Sequence, residues 1–167
     1  MLRTIIRPRV AAVQAKRTTA KQHVRLYAEE VKEEEGLKLT LATPYNHLYN
    51  EKVVERVVAP GRDGVFGILR KHVPTMEALV PGPVKVMEKD GTEKRFFIAG
   101  GFGIVHKDSS LTISTAESYA VEDFDRDKAA ALLSQYQDTL SRAPTDEAKA
   151  VARVQVNTLQ SLVNALG

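Results

Sequence analysis

GRDGVFGILRKHVP, residues 61–74, decides how the rest of this chain reads. Gly61, Gly64 and Gly67 stand three apart between apolar, strand-like runs, where glycine supplies backbone angles with positive φ and lets another chain approach closely. Arg70, Lys71 and His72 then place three polar heads on what reads as one exposed tip, and Pro74 stiffens the exit. The segment builds a turn and offers no usable catalytic chemistry, so it predicts a structural part rather than a catalyst. GGFGIV, residues 100–105, has the same character, with Gly100 and Gly101 opening a further strand.

Working outward, Leu37, Leu39 and Leu41 alternate with Lys38 and Thr40, the two-residue period of a half-buried strand that Pro44 and Asn46 end. Short β-rich runs recur at 53–58, 65–69, 84–87, 95–99, 102–105, 111–115 and 119–121. Turn signals separate them at Pro60-Gly61, Pro81-Gly82-Pro83, Asp90-Gly91, Gly100-Gly101 and Lys107-Asp108-Ser109. Many short strands at this spacing predict a β-sandwich or flattened barrel. Asp90-Gly91 is the strongest hairpin signal and predicts a type I′ turn.

The period changes near Asp123. Asp123 or Asp125 can cap a helix, along which Leu132, Leu133, Tyr136 and Leu140 recur at three- and four-residue steps. Ala129, Ala130 and Ala131 raise helix propensity and admit a close neighbour. Pro144 stops that helix, and Thr145, Asp146 and Glu147 start another, with Val151, Gln155, Leu159, Leu162 and Leu166 down one side. The short connection predicts an antiparallel helical hairpin. The fold class is therefore mainly β with α, a β-sandwich over 37–122 followed by a two-helix hairpin over 123–167.

Residues 1–27 carry seven basic residues and no acid, the composition of a mitochondrial transit peptide. A basic arm for nucleic acid or an acidic membrane is the competing reading. Arg25 three residues before Ala28 resembles a processing site, so maturation is expected near Ala28. Losing those seven charges takes the net charge from +3 to −4. Residues 28–36 are rich in glutamate (Glu29, Glu30, Glu33, Glu34, Glu35) and read as a solvated linker. No apolar run reaches the roughly 20 residues a spanning helix needs, so the mature protein is expected to be soluble.

The chain has no cysteine, which excludes a disulfide framework, a thiol nucleophile and a zinc-cysteine site. His23, His47, His72 and His106 form no helical i,i+4 pair and no metal is expected. The glycines at 61, 64 and 67 lack the Gly-Lys-Ser/Thr ending and following helix of a phosphate loop. Ser109 and Ser110 have only His106 near them in sequence, with no motif to activate a nucleophile. Asp123, Asp125 and Asp127 lack the glycine and terminal glutamate of a calcium loop and suit helix capping better. Basic residues beyond the leader are interspersed with acids and have no aromatic stripe beside them, which argues against nucleic-acid binding. Neither a catalytic residue nor a cofactor is expected.

The stretches 61–74 and 100–105 resemble the small central-stalk subunits of rotary F-type ATP synthases, the family called delta in mitochondria and epsilon in bacteria. The resemblance covers about 37–167, and the family's architecture is also a sandwich followed by a helical hairpin. It implies a noncatalytic rotor part that joins the gamma subunit to the membrane ring of c subunits, on the matrix side of the mitochondrial inner membrane. It further implies that Arg62, Asp63, Arg70, Lys71 and His72 touch polar loops of the c-ring, with membrane association only through that ring. Val65 stands where some bacterial members have an acid, and Arg70 where a proline is common; Val65 would give an apolar contact. Some bacterial relatives bind ATP through an Ile/Leu-Asp-x-x-Arg-Ala motif, matched here by Phe124, Asp125, Lys128 and Ala129. Lysine lacks arginine's planar fork, so no useful ATP binding is expected. The hairpin is expected to act as a folded clamp, held by a small epsilon subunit, rather than as a mobile arm. A free β-sandwich module for a ligand or peptide is the alternative, and a small hydrolase a third reading that lacks a convergent site.

Overall fold

The computed structural model describes residues 36–167. The leader expected at 1–27 and the acidic stretch at 28–35 lie outside the described residues.

Ten strands run in chain order: β1 (Leu37–Ala42), β2 (His47–Val54), β3 (Arg56–Gly61), β4 (Gly64–Leu69), β5 (Thr75–Leu79), β6 (Gly82–Met87), β7 (Glu93–Ile98), β8 (Gly101–Val105), β9 (Ser110–Thr115) and β10 (Ser118–Ala120). They form one continuous sheet in the order β10-β7-β6-β3-β5-β8-β9-β1-β2, with β4 paired to β3 alone. The sheet curls into the expected sandwich, with β1 and β9 parallel, Lys38 opposite Ser110. Leu37, Leu39, Leu41, Val57, Ile68, Val84, Val86, Leu111 and Ile113 meet in its core with no more than 1% of their surface exposed. These are alternate positions along their strands, so the two-residue period sends one set of side chains inward. Each fully buried aliphatic side chain contributes about 1.5–3 kcal/mol.

Several details depart from the sequence reading. The run at 53–58 is two strands, because the chain bends at Glu55 between β2 and β3. Strands β2 and β5 extend or add to the expected set. β5 turns Met76 and Ala78 to solvent and Thr75 and Glu77 partly inward, so its apolar pattern is inverted and gives no half-buried signature. Asp90-Gly91 is not a two-residue type I′ turn. Five residues join β6 to β7, Gly91 N–H bonds to Glu88 O, and Gly91 alone is left-handed at φ 83°. That is a type I turn closed by a left-handed glycine, for which the Asp90 carboxylate also accepts the Thr92 N–H at 2.9 Å.

After a single 3-10 turn (Val121–Asp123), helix α1 (Arg126–Arg142) and helix α2 (Asp146–Leu166) form the hairpin. Asp125 caps α1 by accepting the Asp127 and Lys128 N–H groups, and the Thr145 hydroxyl caps α2 by accepting the Ala148 N–H. Of the alanine triplet only Ala129 is buried, and on α2 the buried positions are Ala152 and Leu162 while Val151 is exposed. A second, smaller apolar cluster of Phe97, Val121, Ala129 and Leu162 ties the hairpin to the sheet. The Ser161 hydroxyl donates to Pro81 O at 2.9 Å beside Gly82, where a Cβ would stand 3.0 Å from Pro60 Cβ.

Candidate functional site

Gly61 and Gly64 close the β3–β4 hairpin as facing partners, with Arg62 and Asp63 as its two-residue tip. Gly64 has φ 136°, and a Cβ on Gly61 would meet Gly64 O at 2.9 Å, so both glycines are required where the sequence placed them. Gly67 is not: its φ is ordinary and a side chain there would meet nothing within 4 Å. Gly100 has φ 99°, and a Cβ on Gly101 would run into the Ser114 carbonyl of β9. Pro74 ends the connection into β5.

The six residues singled out for contact do not form one tip. Arg62 and Asp63 precede β4, while Arg70, Lys71 and His72 follow it, and six extended residues at about 3.3 Å each keep the two groups apart. The first group sits where the Arg62 N–H bonds to Ala78 O at 3.0 Å. The second is tied to the β8–β9 turn, where the Lys71 N–H donates to the Ser109 hydroxyl at 3.2 Å. The His72 ring Nδ1 lies 2.9 Å from Val73 O, and the His72 backbone N–H donates to Leu69 O. Between the two polar ends, β4 shows solvent an apolar outer surface, with Val65 73% and Leu69 55% exposed. Leu69 was not singled out from the sequence; its alternation with buried Ile68 is the signal that could have found it.

Other polar groups serve the fold. Phe124 packs edge-on against Phe97 and Tyr119, with ring centroids 5.9 and 6.0 Å away. Asp125 is occupied as a cap and by Lys128 Nζ at 3.1 Å, and the bonds from the Lys128 and Asp127 backbones hold its carboxyl below the usual carboxylate range. Three of the four residues matching the ATP motif thus hold the start of α1, and Ala129 is buried beneath it. His106 Nε2 lies 3.3 Å from the Thr112 hydroxyl, the Ser110 hydroxyl donates to Asp108 and the Ser109 hydroxyl accepts from the Lys71 N–H, so the turn shows no imidazole-activated serine among the described residues. Among the described residues no group of three or more His, Asp or Glu side chains converges as a metal site. No helix among them is long and apolar enough to cross a membrane.

On the hairpin, Leu132 and Tyr136 of α1 and Val154, Gln155, Thr158 and Leu159 of α2 line an open groove of about 370 Å³. Its apolar lining is exposed, with Leu132 at 44% and Val154 at 64%.

Residues 36–119 match the family model of the ATP synthase delta/epsilon chain, β-sandwich domain. The chain is 39% identical over 142 residues to the mitochondrial ATP synthase subunit delta of Saccharomyces cerevisiae, covering 85% of this chain and 88% of that one. It is 40% identical over 129 residues to the same subunit of Yarrowia lipolytica, covering 77% and 78%. Its fold is similar to a chain in the Euglena gracilis mitochondrial ATP synthase structure, with TM-score 0.75 and 23% identity over 79% of this chain and 82% of that chain. A chain of the Tetrahymena thermophila central stalk and c-ring structure follows at TM-score 0.58, also 23% identical, covering 80% and 98%. A sandwich with this glycine-closed hairpin, a docked helical pair and a family match across half of the sequence lead to one conclusion: the chain belongs to the ATP synthase delta/epsilon chain family.

Proposed function

We propose that the chain is a noncatalytic rotor subunit of the mitochondrial F-type ATP synthase, joining gamma to the c-ring on the matrix side of the inner membrane and so coupling proton flow to ATP synthesis. The carrying observation is the outer surface of β4. An apolar centre at Val65 and Leu69 lies between polar ends at Arg62-Asp63 and Arg70-Lys71-His72, the centre-and-rim anatomy of a protein contact. Rim charges of this kind contribute about 0–1 kcal/mol each, so apolar burial must supply most of the grip. We assign Arg62, Asp63 and Val65 to the c-ring. Arg70, Lys71 and His72, at the far end of the strand, bound the same surface and meet a different part of the assembly. The hairpin groove suits a small helical partner, in keeping with the epsilon subunit implied by the family resemblance.

The test is isolation of the complex in mild detergent from mitochondria carrying Arg62→Glu, Asp63→Lys and Val65→Asp together. The c-ring is expected to be lost from the stalk while gamma is retained, and hydrolysis is expected to lose its sensitivity to a membrane-sector blocker. A ring that stays bound and coupled would refute the assignment.

A further inference from the structure

The described residues are electrically balanced, because eight of the 24 basic and five of the 21 acidic residues of the chain precede Gly36. Against that balance one corner of the sandwich carries an excess of positive charge. Ser109 gathers it. Its carbonyl accepts the Lys38 N–H at 3.1 Å, its hydroxyl accepts the Lys71 N–H at 3.2 Å, and Lys107 lies two residues before it in the same turn. All three lysine side chains are exposed. Elsewhere Lys52 and Lys94 pair with Glu88, Arg95 with Glu122, Lys128 with Asp125 and Lys149 with Asp146. Lys38, Lys71 and Lys107 have no ion pair among the described residues. Next to Lys107, Asp108 Oδ1 accepts the N–H and the hydroxyl of Ser110, at 3.1 and 2.7 Å. Glu55 borders the neighbouring cleft together with Arg70 and Lys89.

The backbone at this corner is held in an unusual shape. Only three non-glycine residues among those described have positive φ, and two of them, Lys71 and Ser109, both at 63°, are the two joined by the hydrogen bond. A left-handed conformation is strained for a residue with a side chain, and it persists where surrounding contacts enforce it. Here it falls just past β4, where the Lys71 backbone N–H meets the Ser109 hydroxyl. The backbone N–H groups of Lys38 and Lys71 are already bonded to Ser109, so neither is available to cradle a phosphate. Separate ammonium groups around a closed turn match carboxylates spaced along a chain.

We infer that the corner of Lys38, Lys71 and Lys107 around Ser109 docks an acidic protein segment of the stalk assembly. The inference rests on the coupling reading and adds to it a contact separate from the Arg62-Asp63 hairpin.

A carbodiimide joins an ammonium to a touching carboxylate as an amide with loss of water. The complex isolated in mild detergent is treated with it and its peptides are mapped. Amides from Lys38, Lys71 or Lys107 to Asp or Glu of another stalk subunit are expected, and the pair Lys38→Glu, Lys107→Glu is expected to lower by about half the KCl concentration that releases the chain. Lys38→Arg with Lys107→Arg should leave release unchanged, which separates charge from fold. If the chain co-isolates with gamma and c subunits but these lysines form no amide, or only amides within the chain itself, the acidic docking site is overturned and the coupling reading stands. A chain recovered alone with these lysines unlinked overturns both.

Discussion

The Tyr49 hydroxyl donates to Glu88 Oε1 at 2.9 Å, joining β2 at one end of the curled sheet to the residue that follows β6 near its other end. No backbone ladder joins β2 to β6 or β7. Side chains close that seam instead: Lys52 Nζ reaches Glu88 Oε2 at 2.7 Å, Lys94 Nζ reaches Oε1 at 3.2 Å, and the Tyr49 ring stands edge-on to Phe96. Burial pushes the Glu88 carboxyl up, but the bonds from Lys52, Tyr49 and Lys94 outweigh it and the net effect is downward. Burial, then the Glu88 bond and charge, raise the Tyr49 phenol.

Glu88→Gln is therefore expected to destabilise the protein by about 1–3 kcal/mol, through the loss of a charged acceptor shared by three donors. A carboxyl held low in the folded state contributes stability that is complete above its unfolded value and is lost as pH falls through its folded value. Urea midpoints measured from neutral pH down through the carboxylate range should fall for the wild type and fall less for Glu88→Gln. Parallel curves would remove the seam from the account.

Gly101 and Gly67 make a matched pair. Gly101→Ala would drive a methyl group into Ser114 O and is expected to cost more than about 2 kcal/mol, whereas Gly67→Ala meets open space and should stay within about 0.5 kcal/mol of wild type. Thermal melts of the two variants check the order. Equal destabilisation would contradict the β8–β9 geometry.

The hairpin should be separable from the sandwich. Leu162→Ala removes a buried side chain from the small cluster and is expected to cost about 2–3 kcal/mol, and Thr145→Ala should cost about 1 kcal/mol through loss of the α2 cap. Hydrogen exchange is the appropriate measurement, with protection expected to fall across α1 and α2 while the strands of the main core keep theirs.

Titration of the purified chain with ATP is expected to show no saturation below millimolar concentration. Asp125 already caps α1 and binds Lys128, whose ammonium supplies a single charge and no bidentate fork. Saturation in the micromolar range would mean that these groups are released to a ligand.

Much of the fold is legible in the sequence because local physics sets it. Leu37, Leu39 and Leu41 announce β1 by their period, Thr145 and Asp125 announce helix starts, and Pro144 forces the break between the helices. β5 was silent because its outward residues, Met76 and Ala78, are the apolar ones, the reverse of the usual alternation. Asp90-Gly91 marks the place of the turn between β6 and β7 but not its type, since turn type depends on how many residues the flanking ladder leaves unpaired.

By itself the sequence determined most of the strands and both hairpin helices, where most of the chain turns, and that no cysteine chemistry is available, all of which depend on residues within a few positions of one another. Only the tertiary structure decided that Arg62 and His72 lie at opposite ends of β4, that Glu88 closes the seam against Tyr49, and that Lys38 and Lys71 meet at Ser109. Those relationships join residues 10 to 71 positions apart. They follow from strand order and register, which the packing of the whole apolar core selects and no local pattern encodes.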